Sequence, residues 1–223
     1  MEIAVLRNVQ EHNDATADDV RRLLAEHRVC MINVMGGAGC GKTTLLERLI
    51  PRLAPDLRSA VLEGDITTTR DAERIAELGV PVVQLQTEGS CHLDAWLVHD
   101  GLKTLPLAET DIVWVENVGN LVCPAEFDIG EHDRLAVLSV MEGDDKPSKY
   151  PLLFSRATAV AITKCDLAQH CNFDMRIAEQ DVRKVNAAAP FIETGLDSPG
   201  DDAILQWVTQ CYRQATAATE SSA

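Results

Sequence analysis

The sequence predicts an α/β fold of the P-loop NTPase type, a mostly parallel sheet with helices on both faces. Three observations predict it. From residue 29 onward, short apolar runs alternate with helical stretches. Those runs are apolar at nearly every position, as strands buried on both faces must be. And MGGAGCGKTT (35–44) lies between the first run and the next helix. One domain spanning 1–223 is expected, opened by an N-terminal helix and closed by a tail that frays from about residue 216.

In chain order, ADDVRRLLAEHR (17–28) repeats its apolar positions at helical spacing behind Asn13, Asp14 and Thr16, which read as caps. Strand 29–35 follows, then helix 43–54, strand 59–64, helix 69–79, strand 80–86 and helix 91–105. The alternation continues through strands at 111–116, 134–140 and 157–163, a helix at 174–188, a short strand at 190–193 and a last helix at 200–217. Neither an internal repeat nor a Gly/Ser linker interrupts it. In such folds ligands bind outside the carboxyl ends of the strands, so residues there are the candidates for function.

The segment at 35–44 satisfies G-x-x-x-x-G-K-S/T as Gly36, Gly41, Lys42 and Thr43, in strand–loop–helix context. Gly36, Gly39 and Gly41 let backbone N–H groups turn toward phosphates, and Thr44 continues the helix N-terminus that adds partial positive charge. Lys42 is placed to reach the β and γ phosphates, and the Thr43 hydroxyl to hold Mg²⁺. Cys40, inside the loop where a small residue is wanted, reads as packing.

Thr163-Lys164-Cys165-Asp166 follows a late strand and is close to Asn-Lys-x-Asp, the guanine-reading sequence. Asp166 accepts from two guanine donors that adenine cannot supply, and Lys164 can lie along the base, so GTP is expected before ATP. Asp65 ends the strand after the P-loop helix, where it can meet Mg²⁺. Glu116 ends DIVWVE just before Gly119, whose N–H can sense a γ-phosphate.

The balance of 35 acidic against 20 basic residues, a formal charge of -15, repels phosphate backbones and anionic lipid. Nucleic acid and membrane are therefore not expected partners. No run approaches the roughly 18 apolar residues of a span and no signal peptide is recognisable, so a cytoplasmic protein is expected. Seven cysteines in such a chain suggest free thiols or metal ligands. Cys91 and His92 are adjacent at the start of the 91–105 helix, and Cys123 follows the turn after Glu116. Both turns open on the same sheet edge, and two thiolates with an imidazole suit Zn²⁺ or Ni²⁺ while leaving a position open. Spacing alone leaves ordinary core cysteines as the competing reading. His99, two turns after His92, is a candidate auxiliary ligand, and Cys165, His170 and Cys171 form a weaker candidate set.

MGGAGCGKTTLLERL, EGDITTTRDAERI, SCHLDA, ENVGNLVCPAEFDIGE and LSVMEGDDKPSKYP together resemble the HypB family, the nickel-insertion GTPases of NiFe-hydrogenase maturation. The similarity runs from about residue 15 to 168. It implies a SIMIBI-class GTPase that forms a homodimer around nucleotide, takes nickel from an accessory protein of the HypA type and delivers it to the hydrogenase large subunit. It also implies that Cys91, His92 and Cys123 bind the metal, with Cys123 beside the switch so that hydrolysis changes the site's geometry. Lys146, in the acidic EGDDKP loop, is a candidate for reaching the partner subunit's nucleotide. Two departures stand out: Thr163 replaces Asn, and the Cys-rich or His-rich N-terminal extension of some members is not seen. Rival readings are a chaperone GTPase for urease or a cobalamin enzyme, a P-loop small-molecule kinase, and a binding module with structural zinc.

Overall fold

The computed structural model describes residues 5–65, 69–87, 89–196 and 200–220, with the side chains of 5–10 and 218–220 outside the description. Seven strands form one parallel sheet. They are β1 (Cys30–Gly36), β2 (Ser59–Asp65), β3 (Val82–Gln86), β4 (Ile112–Glu116), β5 (Asp133–Ser139), β6 (Ala159–Thr163) and β7 (Phe191–Glu193), in the spatial order β3-β2-β4-β1-β5-β6-β7. The interior strands β1, β4 and β6 are buried at every position, as their unbroken apolar sequence requires.

Helices α1 (Val5–His27), α2 (Lys42–Leu53), α3 (Arg70–Ala76), α4 (Ala95–Leu102), α7 (Pro151–Arg156), α8 (Met175–Val185) and α9 (Gly200–Glu220) cover the sheet, with single turns at α5 (Cys123–Glu126) and α6 (Lys146–Lys149). One core cluster packs α2 and α9 against Ile32, Val34 and Trp114, and another packs α1 and α4 against Met31, Leu62 and Val113. Adjacent residues of β1 thus face opposite layers, the period of two expected of a strand.

Three expectations shift. The first helix starts at Val5, so Asn13, Asp14 and Thr16 lie inside it and cap nothing. Thr16 donates instead to the carbonyl of His12 four residues back, and Asn13 reaches outward to other segments. Cys91 and His92 precede their helix, which begins at Ala95 because the Asp94 carboxylate caps it by accepting from the N–H of Leu97. The last helix continues to Glu220, past the point where fraying was expected, and 221–223 lie outside the described residues. Among the described residues no helix is long and apolar enough to cross a membrane.

Sheet order positions the site. The chain leaves β1 toward β2 and later returns to the other side of β1 as β5, so the loop after β1 opens at the point where the strand order reverses. Carboxylates from β2 and β4 reach it on one flank, and the loop after β6 reaches it on the other.

Candidate functional site

The P-loop forms as its glycines demand. Gly39 and Gly41 take φ of 73° and 97°, a region that L side chains rarely adopt, and Gly41 is followed directly by the first residue of α2. A Cβ on Gly36 would meet the carbonyl of Val137 and the Cys40 sulfur. Cys40 is fully buried, and burial pushes its thiol up to about 11, so it packs, as expected, and does not react. Lys42 is buried beneath the loop with Nζ 3.4 Å and 3.5 Å from the carbonyls of Gly36 and Gly37. Thr44 accepts from Arg74 at 3.0 Å.

On the other flank, Lys164 adopts the left-handed region at φ 58° and donates to the carbonyl of Gly39 at 2.7 Å. Thr163 is buried and donates to the carbonyl of Cys40 at 2.5 Å, so it braces the P-loop. Asp166 accepts from the N–H of Leu196 at 3.2 Å.

The carboxylates hold an arrangement the sequence did not announce. Glu63 of β2 and Glu116 of β4 are direct cross-strand partners, both buried. Burial, reinforced by the charges of Glu116, Asp65 and Asp71, pushes Glu63 up to about 8. Burial pushes Glu116 up to about 7, against the opposing pull of Lys42 and of the Thr43 hydroxyl, which donates to Glu116 at 2.8 Å. The Oε2 atoms of both glutamates are buried without a hydrogen-bond partner. Asp65 lines the same cleft of about 330 Å³, together with Lys42, Thr43 and Lys164. A hard cation beside phosphate fits this donor set of hydroxyl, carboxylates and orphaned oxygens. Glu63, Asp71 and Arg74 were missed because only the strand register and the packing of α3 bring them here.

The thiol residues converge. Ligand atoms of Cys91, His92 and Cys123 lie within 4.8 Å of one another, with the two sulfurs 2.7 Å apart. The hydrogen bond between the thiols, then burial, raises Cys123, while burial lowers His92 and so favours the neutral ring that a metal needs. The His92 ring stacks on Phe127 with centroids 3.8 Å apart. His99 lies outside this cluster. Cys165 and Cys171 do not come together as ligands either: Cys165 donates to the carbonyl of Ile162, and Cys171 to the sulfur of Met141.

Two devices tie the thiol cluster to the P-loop. Asn120 accepts from the N–H groups of Val122 and Cys123, turning the chain at Cys123, and forms an isolated bridge with Gly36. Gly119 lies so close to the P-loop that a Cβ would stand 2.7 Å from the Cα of Ala38. To reach this place the loop after β3 must cross the end of β2, and Gly64 makes room: a Cβ there would meet Leu93 Cδ1 at 2.8 Å. Asn117 closes the assembly, accepting from the N–H of Leu93 at 3.3 Å and donating to Asn33 of β1 at 3.1 Å. Neither Asn33 nor Asn117 carries a motif that could have flagged it.

The family profile described as CobW/HypB/UreG, nucleotide-binding domain, matches residues 30–193. The probable hydrogenase maturation factor HypB of Methanocaldococcus jannaschii is 38% identical over 94% of this chain and 96% of its own length. The chain belongs to the HypB family. HypB of Escherichia coli K12 is 41% identical over 90% of this chain and 70% of its own length. The crystal structure of HypB from Helicobacter pylori in complex with nickel superposes with a TM-score of 0.87 at 34% identity, covering 91% of this chain and 96% of that one. The P-loop nucleotide-binding fold of the HypB family is therefore the framework that holds the thiol cluster described above.

Proposed function

We propose that this protein is a GTP-hydrolysing metallochaperone that receives Ni²⁺ at Cys91, His92 and Cys123 and helps insert it into a NiFe hydrogenase. The observation that carries this reading is the contact between the two sites. Cys123 sits on a loop whose Gly119 rests on Ala38 of the P-loop. A change at the γ-phosphate therefore meets the metal loop through backbone and not through a flexible side chain. Zn²⁺ suits the same ligands, and three ligands leave a position from which an ion can be passed on.

In this reading Asp166 selects guanine and Lys164 lies along the base. Thr43 and Asp65 would hold Mg²⁺, which supplies charge to the β and γ phosphates when bound. Lys42 and the amides of Gly36, Gly39, Gly41 and Thr44 stabilise charge developing on the γ-phosphoryl group during attack by water. Glu116 orients the Thr43 hydroxyl, and Gly119 presents its N–H to the γ-phosphate. GTP favours one geometry of a homodimer and GDP another, and a coupling of about 1 to 3 kcal/mol changes metal affinity by about 5- to 150-fold. Nickel arrives from an accessory protein of the HypA type and leaves to the hydrogenase large subunit. Lys146 of α6 reaches toward the partner's nucleotide, and Lys146→Ala would then weaken GTP-dependent dimerisation.

Titration of Ni²⁺ and Zn²⁺ into the protein with GDP, and separately with a non-hydrolysable GTP analogue, tests the reading beside Cys123→Ala. A nucleotide-dependent shift in affinity that vanishes in the variant is expected. Equal affinity in both nucleotide states would defeat it.

A further inference from the structure

We infer that Asn120 is a positioning residue for the nickel site, one that makes Cys123 the weaker of the two thiolates and hence the ligand from which the ion departs. The inference rests on the reading that Cys91, His92 and Cys123 take the metal, and it concerns a residue outside that set. Asn120 Oδ1 accepts from the N–H of Val122 at 2.7 Å and from the N–H of Cys123 at 3.4 Å. Those two bonds decide which way the amide lies, because two donors must meet its oxygen. Nδ2 is left facing the Cys123 sulfur, to which it donates at 3.7 Å. One side chain therefore shapes the turn that presents Cys123 and supplies a donor to its sulfur.

The two sulfurs are not equivalent. Among the described residues, Cys91 Sγ meets polar partners only inside the cluster: it donates to Cys123 at 2.7 Å and lies 3.9 Å from His92 Nδ1. Both contacts change when an ion binds, since the thiols lose their protons. The Asn120 amide is no ligand and keeps its hydrogens, so its bond persists and strengthens against a thiolate. A donor held on a thiolate draws charge away from the ion, the reverse of an acceptor that raises the basicity of a ligating histidine. His92 has support of that second kind, with Ser90 Oγ 3.3 Å from Nδ1 and its ring stacked on Phe127. Of the three ligands, Cys123 alone has its bond to the metal weakened from outside. Asn120 also bridges to Gly36 through its backbone, so the ligand that yields first stands on the loop tied to the P-loop.

Ni²⁺ alone is the probe, added to GDP-loaded protein. The thiolate-to-nickel charge-transfer absorption is recorded first, and EDTA is then added to time the ion's release. Asn120→Asp keeps an acceptor for the turn and removes the amide donor, and Asn120→Ser does the same without adding charge. In both, the band is expected at longer wavelength than in the unsubstituted protein, with release to EDTA about tenfold slower, the worth of one hydrogen bond to a charged group. Unchanged GDP affinity reports that the variants are folded. Band and release rate unmoved in both variants, or moved in Asn120→Asp alone as the field of an added carboxylate would do, would overturn the role of Asn120 and leave the nickel reading standing. An unsubstituted protein with no band that Cys123→Ala removes would instead defeat the nickel reading, and this inference with it.

Discussion

Thr163 stands where a guanine-reading loop more often carries asparagine, and its hydroxyl is spent on the carbonyl of Cys40. Thr163→Val keeps the shape and leaves that carbonyl unpaired in a buried setting, a loss of about 1 to 3 kcal/mol. Urea unfolding should register it together with weaker GDP binding, while Thr163→Ser stays near the parent. Gly119→Ala acts differently, because its Cβ would press on the backbone of Ala38. A cost of about 1 to 3 kcal/mol is expected, as in overpacked cores. In calorimetric titration, metal affinity should become the same with GDP as with the GTP analogue. At this scale, what was legible was contiguous. Lys42, Thr43 and Lys164 sit in motifs whose spacing is fixed by the backbone, and Cys91, His92 and Cys123 in strings long enough to resemble a family. Glu63 was not legible, because its partner Glu116 is named by strand register alone, and Asp65, the residue read as the cation ligand on that strand, lies two positions farther along.

The strands and most helices follow from periodicity, since burial on both faces leaves little freedom in what β1, β4 and β6 can contain. The first helix shows where periodicity fails. Asn13, Asp14 and Thr16 are typical of helix starts, yet α1 runs through them, and the side chains of Thr16 and Asn13 find their partners within the helix and across the fold. Asn13 is thereby freed to bond across the fold, donating to the carbonyl of Asp128 at 2.8 Å and accepting from the N–H of Ala95 at 3.0 Å. One side chain thus fastens α1 to the start of α4, just beyond Cys91 and His92, and to the segment after Cys123. Asn13→Ala is expected to cost about 2 kcal/mol by removing both bonds. Hydrogen exchange should show the loss concentrated at Ala95, where the amide loses its acceptor, while β5 and β6 keep their protection.

For the molecule as a whole, the raised carboxyl groups set a dependence on pH. Glu63 and Glu116 bind protons more tightly folded than unfolded, so between about pH 4.5 and 8 the native state holds protons that the unfolded chain has released. Their contribution is fully present below 4.5 and is lost as pH rises through about 7 and 8, at no more than about 1.4 kcal/mol per unit for each group. Thermal unfolding of metal-free, nucleotide-free protein should therefore fall in midpoint across that window, and Mg²⁺ should raise the midpoint more at pH 8 than at pH 5. Glu63→Gln should flatten the curve. The thiol pair has a different consequence. Its sulfurs stand 2.7 Å apart, whereas bonds of about 2.3 Å at a tetrahedral angle hold two sulfurs about 3.8 Å apart. Under the proposed function, an ion gripped by both would act as a wedge between the crossing loop at Cys91 and the loop at Cys123. The second of these rests on the P-loop, so filling one pocket would push on the floor of the other.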